Sequence, residues 1–465
     1  MGSEEVLREL ATDLQRIIRA TAETVGSGQT SELVDKVTDW LGVPLSQVVV
    51  VGRQWESWEH ANLQRGVDAY LAERGTGPEW FGLVGGHRGN EELVSMLASA
   101  RRHGMYELGA VDFATAAIGP DEATEVVQLG LITTKAPDGT RVVIGVRGAN
   151  PQFGQAMCRV EVLSVARETA TVVRDRVEHL MSVHDVFRGQ VLAFGTSENR
   201  GNELLTFLPR PKLADEDVVL PDGVLDAIER HTVSIASHGE RLLAAGQHLK
   251  RGLLLHGPPG TGKTHTVRYL MGRLPGSTVI VLTGLAMRYI TKAAELARRL
   301  QPSLVVLEDV DLIAQDRSHT PMGNPLLFTL LDAMDGVGHD ADVTFLLTTN
   351  RAEELERALA DRPGRVDLAI EIPKPDAEGR LKLLRLYGRG VDLTADLGPV
   401  VEQSEGVTAS FVKELLRRAA LRSIVEDPDR TPVTVGDREL TAALSEMNEA
   451  HNALTRSLLG NGSGA

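Results

Sequence analysis

The segment from Gly257 to Thr264 constrains this chain more than any other. It reads Gly-Pro-Pro-Gly-Thr-Gly-Lys-Thr and follows the apolar run Leu253–Leu255. This is the phosphate-binding loop pattern, with a buried strand before it and apolar residues at helical spacing after it. Its glycines let backbone N–H groups surround phosphates, and a helix N-terminus beneath them favours an anion. We therefore predict that the chain binds a nucleoside triphosphate, with Lys263 on the terminal phosphates and the Thr264 hydroxyl on Mg²⁺.

Composition narrows the class of protein. A chain of 465 residues is too long for one hydrophobic core, so we expect two or three domains. The net charge of −15 argues against non-specific nucleic-acid binding. The single cysteine, Cys158, excludes an internal disulfide and is typical of a reducing compartment. No signal-peptide pattern and no apolar run of about 18 residues occurs, so we expect a cytoplasmic protein without a membrane partner.

Residues 1–212 are expected to form an α+β region of one or two subdomains that recruits a partner. Pro137-Asp138-Gly139 separates two apolar runs and predicts a β-hairpin. Helical periodicity predicts helices near residues 3–26, 31–40, 58–73 and 168–182. Strand-like runs occupy residues 45–51, 126–134, 141–146, 159–165 and 186–194.

The C-terminal half has a different pattern, which begins after the linker Pro209–Lys212. Strands and helices alternate regularly across residues 213–375, which predicts an α/β nucleotide-binding subdomain with a parallel sheet. Residues 376–456 are expected to form a wholly helical lid, and residues 457–465 a flexible tail.

Polar residues follow two further apolar runs of this half. Leu304–Leu307 leads directly into Glu308 and Asp309. A nucleotide-hydrolysing site needs two such acids, one to hold the water shell of Mg²⁺ and one to activate the attacking water. A second buried run ends at Asn350, whose amide could place that water or contact the γ-phosphate. The segment Asp361–Asp367 then adds two arginines to the same half of the chain.

In this order the motifs resemble those of the AAA ATPases, across about residues 220–455. The segment Asp-Arg-Pro-Gly-Arg-Val-Asp is similar to the second region of homology in that family. The resemblance implies a parallel-sheet P-loop domain with a helical lid, ATP hydrolysis with Mg²⁺, and a ring, usually a homo-hexamer. It also implies that Arg362 and Arg365 are arginine fingers that reach the next subunit's site, where a guanidinium can neutralise phosphoryl charge.

Carried over residue by residue, the resemblance assigns a nucleotide-binding set and a catalytic set. The nucleotide-binding set is Gly257, Pro258, Pro259, Gly260, Thr261, Gly262, Lys263, Thr264, His265, Tyr387 and Ala409. The catalytic set is Glu308, Asp309, Asn350, Arg362 and Arg365, with Thr264 and Glu308 on the metal side.

Three features of the predicted nucleotide site depart from the family pattern. The family orders its two acids Asp-Glu, so here Glu308 takes the metal-water role and Asp309 the role of the base. Because Asp is one methylene shorter than Glu, slow turnover is expected. Tyr387 stands where the family has a histidine near the ribose, and Ala409-Ser410 stands where it has Gly-Ala.

Tyr289 and Ile290 correspond to the aromatic-hydrophobic pair that faces the central pore in family members that thread polypeptide. An aromatic ring can hold an extended chain through apolar contact. Thr291 replaces the family's glycine. The alternative is that Tyr289 and Ile290 simply begin the amphipathic helix that continues through Leu296.

The leading hypothesis is a ring-forming ATPase that remodels, unfolds or translocates a protein partner. One alternative is an ATP-gated assembly or regulatory switch that threads nothing. A second is a nucleic-acid motor or loader, which the acidic composition disfavours.

Overall fold

A computed structural model describes residues 31–75, 79–85, 91–150, 156–195, 204–311, 325–351, 365–429 and 431–460. The helix predicted near residues 3–26 and the position of Arg362 lie outside this described part. The chain forms two compact units. The first extends to Phe187 and includes Ala193–Leu208, and the second combines Arg188–Leu192 with everything from Pro209 onward.

The first unit is built on an antiparallel sheet. Its strands are β1 (Val49–Glu56), β2 (Trp80–Gly85), β3 (Tyr106–Gly109), β4 (Asp112–Ala117), β5 (Ala123–Lys135), β6 (Arg141–Arg147) and β7 (Met157–Ser164). They lie in the order β1-β7-β6-β5-β2-β3, and β4 also pairs with β5. Its helices are α1 (Glu32–Leu41), α2 (His60–Arg74), α3 (Leu93–His103) and α4 (Arg167–Val183). Two short strands follow α4 in the chain: β8 (Val191–Phe194), which the division between the units crosses after Leu192, and β9 (Leu205–Leu208).

Both faces of this sheet are covered by helices. On β6, Val142 and Ile144 join a core cluster with α2 and α4. Val143, between them, joins a second cluster with α1 and α3. This is the two-residue alternation of a strand, here with apolar side chains on both faces. The first unit is therefore a three-layer α–β–α arrangement, consistent with the predicted α+β class.

Most of the predicted elements of this unit are confirmed, with boundary shifts of a few residues. At the predicted hairpin, the Gly139 N–H donates to the Ala136 carbonyl over 2.9 Å, and Gly139 has φ 86°. The strand predicted at residues 45–51 begins only at Val49. Pro44 precedes a 3-10 turn that occupies the first part of that run. The prediction omitted β2, β3, β4 and β9.

The second unit contains a parallel sheet. Its strands are β10 (Arg251–His256), β11 (Thr278–Thr283), β12 (Ser303–Glu308), β13 (Val343–Thr349) and β14 (Leu368–Glu371), in the order β14-β10-β13-β12-β11. Its helices are α5 (Val224–Glu229), α6 (Ile235–Ser237), α7 (Gly239–Ala244), α8 (Lys263–Arg273), α9 (Ile290–Arg299) and α10 (Pro325–Asp335). Every residue of β13 is buried, as expected for a central parallel strand with both faces covered.

A small lid follows the sheet. Its helices are α11 (Ala377–Tyr387), α12 (Leu397–Gln403), α13 (Ala409–Glu426) and α14 (Asp437–Gly460). Two short strands, β15 (Asp392–Leu393) and β16 (Thr434–Val435), pair in parallel within it. The prediction of a wholly helical lid is therefore wrong in this detail. Because α14 continues to Gly460, the flexible tail predicted from residue 457 is also wrong for its first four residues.

The packing of α2 against α4 yields a stability test. An ideal Cβ at Gly66 would lie 2.8 Å from the Val177 carbonyl oxygen of α4. Replacing a glycine inside a helix by alanine ordinarily adds about 0.5–1 kcal/mol of stability. For Gly66→Ala we expect the opposite sign, a loss of roughly 1–3 kcal/mol from overpacking.

Denaturant unfolding followed by tryptophan fluorescence measures this effect, because all four tryptophans (Trp40, Trp55, Trp58 and Trp80) belong to the first unit. Arg65→Ala, at the exposed neighbouring position of the same helix, serves as the control. A stability gain in Gly66→Ala would contradict the close contact between the two helices.

Candidate functional site

The phosphate loop joins β10 to α8 with a backbone that only glycine adopts easily. Gly257, Gly260 and Gly262 have φ angles of 139°, 77° and 115°. A Cβ at Gly257 would lie 2.3 Å from the Ile372 carbonyl oxygen, so no other residue fits there. The Thr261 hydroxyl donates to the Pro258 carbonyl over 2.9 Å and closes the loop. Successive turns of this kind bring backbone N–H groups together as an anion-binding nest.

Lys263 connects this loop to the neighbouring strand. Its ammonium donates to the carbonyls of Gly257 and Pro258 over 2.8 and 2.9 Å, and to Asn350 Oδ1 over 2.8 Å. Burial lowers the pKa of Lys263, while the carboxylates of Asp309 and Asp311 oppose that shift. Loop, lysine and Asn350 therefore form one hydrogen-bonded group.

Sheet register explains why these residues meet. In the parallel pairing, Leu255 of β10 lies opposite Thr348 of β13, and Leu307 of β12 lies opposite Leu347. The carboxyl ends of three adjacent strands therefore coincide at one edge. In open parallel sheets this edge is where ligands bind.

Glu308 faces the phosphate-loop helix from this edge. Its half-buried carboxylate lies near the Thr264 hydroxyl. Burial raises the pKa of Glu308, the Thr264 hydroxyl opposes that shift, and the like charge of Asp309 adds to it. A carboxylate beside a hydroxyl is an all-oxygen pair, which suits a hard cation such as Mg²⁺.

Asp309 has an unusual backbone. Its φ of 54° is the one left-handed value among the non-glycine residues that the structure describes. Its N–H donates to Thr348 Oγ1 over 2.9 Å, and its carboxylate is exposed. Asp adopts this conformation at a cost of about 1 kcal/mol, and such strain is concentrated at functional sites. The turn ends β12 and breaks the strand's alternation of faces directly after Glu308.

Asp311 is a site residue that the sequence interpretation did not single out. It is only 5% exposed and accepts hydrogen bonds from Thr349 Oγ1 and from the Asn350 N–H, both over 3.2 Å. The carboxylate therefore fixes the turn that carries Asn350. Two signals were present in the sequence: a third acid close after β12, and hydroxyl residues at the end of an otherwise apolar strand.

A cavity of about 270 Å³ lies beside the phosphate loop. Thr261 of the loop and Ala409 of the lid both line it, together with Val219–Asp222 from the segment that precedes α5. The lid also touches the loop directly, because the Ser410 N–H donates to the Gly260 carbonyl over 3.0 Å. Ala409 and Ser410 therefore lie beside the phosphate loop, and their contact with a nucleotide stays a prediction.

Two other residues of the predicted nucleotide-binding set do not line this cavity. Tyr387 lines a separate lid cavity of about 350 Å³ together with Lys413, because the end of α11 packs toward α13. His265 Nε2 makes a 2.8 Å hydrogen bond with the Asp217 backbone carbonyl, so its ring is engaged by the segment before α5.

Arg365 makes an ion pair within its own chain. Its side chain is 7% exposed, and its Nε and Nη2 donate to the Asp335 carboxylate over 3.1 and 2.7 Å. Reaching a neighbouring subunit would require this pair to open. The role of Arg365 in trans stays a prediction, as does that of Arg362, which lies outside the described residues.

The expectation that Tyr289 and Ile290 face a pore needs correction. These side chains are 4% and 1% exposed. The Arg288 guanidinium donates to the Tyr289 hydroxyl over 2.7 Å, and Ile290 begins the apolar face of α9. The alternative interpretation, in which both residues start an amphipathic helix, describes them correctly. In the connection between β11 and α9, the exposed apolar residue is Leu285. It is 77% exposed and follows Gly284, whose φ is 52°.

Neither a membrane span nor a metal cluster is found in the described ranges. None of their helices is long and apolar enough to cross a bilayer. They also contain no group of three or more His, Cys, Asp or Glu side chains that could hold a metal ion.

Comparison with known proteins finds a family match within the second unit. Residues 253–374 match the model of the ATPase family associated with various cellular activities (AAA). A proteasome-activating nucleotidase of Methanosphaerula palustris is 32% identical over 46% of this chain and 54% of its own length. An ATP-dependent zinc metalloprotease FtsH of Thermus thermophilus is 31% identical, over 57% of this chain and 44% of its own.

A third relative is the 26S proteasome regulatory subunit 8 homolog of Schizosaccharomyces pombe. It is 29% identical over 53% of this chain and 65% of its own length. The chain thus spans between about two fifths and two thirds of the length of these relatives.

The raised pKa of Glu308 predicts an acid-sensitive site. Because its carboxylate protonates at higher pH than an ordinary glutamate, we expect Mg²⁺-dependent ADP binding to weaken as pH falls from neutral to mildly acidic values. Asp309→Asn removes the like charge and should move the midpoint of this loss to lower pH. Calorimetric titration of ADP across a pH series, with and without Mg²⁺, measures the midpoint.

Glu308→Gln is the control, because whatever pH dependence it retains belongs to the nucleotide and to other groups. Identical midpoints for the wild type and Asp309→Asn would contradict the electrostatic coupling of the two acids.

Proposed function

We propose that the chain is an AAA ATPase, which hydrolyses ATP to ADP and phosphate in a ring of identical subunits and uses the energy to remodel a protein partner. The observation that carries this proposal is the convergence of Lys263, Asn350 and the Thr264–Glu308 pair at one sheet edge. These are the groups that an ATP-hydrolysing site requires, and three separate segments of the chain bring them together.

In the proposed site, the nest of the phosphate loop and the Lys263 ammonium hold the phosphates. Thr264 and Glu308 would hold Mg²⁺, directly and through water. When bound, that ion supplies positive charge that offsets the charge of the phosphoryl oxygens. The Asn350 amide oxygen accepts a hydrogen bond from Lys263, so a nucleotide that draws the ammonium toward its phosphates would weaken that bond.

Asp309 is the proposed base. Its carboxylate is exposed, and the left-handed backbone brings it next to Glu308 at the end of β12. It would take a proton from the attacking water as the bond between the β- and γ-phosphates breaks. Its short side chain and unusual order relative to Glu308 favour slow turnover.

Ring assembly and a protein client are supported by the relatives. One is named as a regulatory subunit of the 26S proteasome and another as a proteasome-activating nucleotidase. By analogy we propose a homo-hexamer in which Arg362 and Arg365 complete the neighbouring site, and in which the first unit recruits the client. A cytoplasmic location, expected from the single cysteine, belongs to the same proposal.

A second candidate is an ATP-gated assembly switch that does not thread polypeptide. The burial of Tyr289 and Ile290 favours it, because the aromatic group that would hold a threaded chain is part of the core. If this chain does thread a client, the exposed Leu285 is the apolar residue available in that connection.

The role of Asp309 can be tested without disturbing its backbone, because asparagine tolerates the left-handed conformation. For Asp309→Asn we expect kcat for ATP to fall by about 10²-fold or more, with the affinity for ATP retained. A coupled phosphate-release assay and equilibrium binding of ATP measure the two quantities. Asp427→Asn, an exposed aspartate at the end of α13, is the matched control. Equal turnover by wild type and Asp309→Asn would remove Asp309 from the catalytic role.

Leu285→Ser distinguishes the two candidate functions. If the ring threads polypeptide, an unfolded, carboxymethylated probe protein should stimulate the wild-type ATPase, and Leu285→Ser should abolish that stimulation while basal turnover persists. Leu243→Ser, at an apolar residue that is 42% exposed on α7, controls for loss of surface hydrophobicity. Stimulation that survives in Leu285→Ser would reject a gripping role for this residue, and absence of stimulation in the wild type would favour the switch.

A further inference from the structure

The segment Pro209–Asp222, which we call the connector, runs along the phosphate-loop helix. Pro209–Lys212 resembles a flexible linker in sequence, yet in the structure it is strongly bound. The Arg210 guanidinium donates to the carbonyls of Met271 and Leu274, at the C-terminal end of α8, over 2.5 and 3.1 Å. It also donates to the carbonyls of Gly189 and Ser277 over 2.9 and 2.8 Å. A cation at a helix C-terminus is favourable, and this one satisfies several carbonyls at once.

Later residues of the connector contact successive turns of α8. The contacts proceed from the C-terminal end of the helix toward its N-terminal end. The Tyr269 hydroxyl donates to the Asp215 carboxylate over 2.7 Å. One turn closer to the phosphate loop, His265 Nε2 contacts the Asp217 backbone carbonyl over 2.8 Å. The connector therefore follows α8 from its C-terminal end to the turn that carries Thr264.

Beyond Asp217, the connector alternates between two hydrophobic cores. Val218 and Leu220 pack into the core of the parallel sheet. Val219, between them, packs against the core of the lid. In an extended segment successive side chains point in opposite directions, so this alternation places the connector between the two subdomains. Val219 and Leu220 also line the cavity beside the phosphate loop.

An ion pair joins this segment to the lid. Arg389, just after α11, donates to the Asp217 carboxylate over 2.5 Å and to the Glu216 carbonyl over 3.3 Å. The side chain of Asp217 is 25% exposed and that of Arg389 is 53% exposed. The other oxygen of Asp217 accepts from the Ala214 N–H over 2.9 Å, so the carboxylate cannot turn away freely.

We propose that Asp217 is a positioning residue, which holds the lid through Arg389 while its backbone holds the phosphate-loop helix through His265. The inference rests on the proposed function and adds a residue from outside the nucleotide-binding motifs. Asp217 is not part of the phosphate loop and does not line the cavity. It acts on ATP binding by fixing the angle between the lid and α8.

The expected signature is a change in KM without a change in kcat. Because the pair is partly exposed, its loss in Asp217→Asn or Arg389→Gln should raise KM for ATP about two- to five-fold. The Asp217→Asn, Arg389→Gln double variant should resemble either single variant, since each removes the same interaction. Arg389→Lys keeps the charge and should recover part of the affinity.

Steady-state ATPase kinetics of the full-length protein test this expectation. Arg438→Gln breaks a more exposed ion pair within the lid, between Arg438 and Glu426 (2.7 Å), and is the control. A KM for both connector variants equal to that of Arg438→Gln would overturn the proposal. So would a fall in kcat at constant KM, or additive effects in the double variant.

Hydrogen exchange without nucleotide separates this inference from the function on which it rests. Breaking the bridge should accelerate amide exchange in Val218–Leu220 and α11 relative to Arg438→Gln. If the wild type neither bound nor hydrolysed ATP, the proposed function would fail, while faster exchange would still support the positioning contact. Unchanged exchange would reject the contact, whatever the ATPase rate.

Discussion

The second unit depends on one buried cation. The Lys263 ammonium is almost enclosed, and a charge in that position is tolerated only because oxygen atoms surround it. Two of those oxygens belong to its own loop and the third belongs to Asn350, at the end of a different strand. The lysine therefore requires β10 and β13 to be neighbours in the observed register. The positions of Glu308 and Asp309 follow from the same pairing, because β12, which leads into these acids, pairs with the other edge of β13.

Local chemistry made the phosphate loop and the two strand ends predictable. Three glycines at fixed spacing, followed by a lysine and a hydroxyl residue, have few other uses, and apolar runs that end in acids predict exposed edges of buried strands. Residues whose role depends on a distant partner could not be predicted in this way. Asp311 matters because Asn350 is nearby, and Asp217 because Arg389 is nearby. Neither relation leaves a periodic signal in the chain.

At some positions the family resemblance and the physical pattern of the sequence predict different surroundings for a side chain. There the observed burial of the side chain agrees with the physical pattern. Tyr289 and Ile290 match a family motif by position, but Tyr289 caps α9 and Ile290 begins its apolar face, and the structure follows the amphipathic pattern. Arg365 likewise occupies a motif position, yet Asp335 neutralises it within the chain. The free energy gained by burying apolar area and pairing charge is available to every isolated subunit. A contact across a subunit interface is available only after assembly.

The chain path also limits how this protein could be rearranged by recombination. Residues 188–192 belong to the nucleotide-binding unit, the following sixteen return to the first unit, and the connector then re-enters the second. Arg210 ties Gly189 from the earlier crossing to the end of α8. A single exchange point placed anywhere between residues 188 and 222 would therefore divide one unit or leave part of the other behind. Recombination therefore keeps both units intact only when it transfers them together.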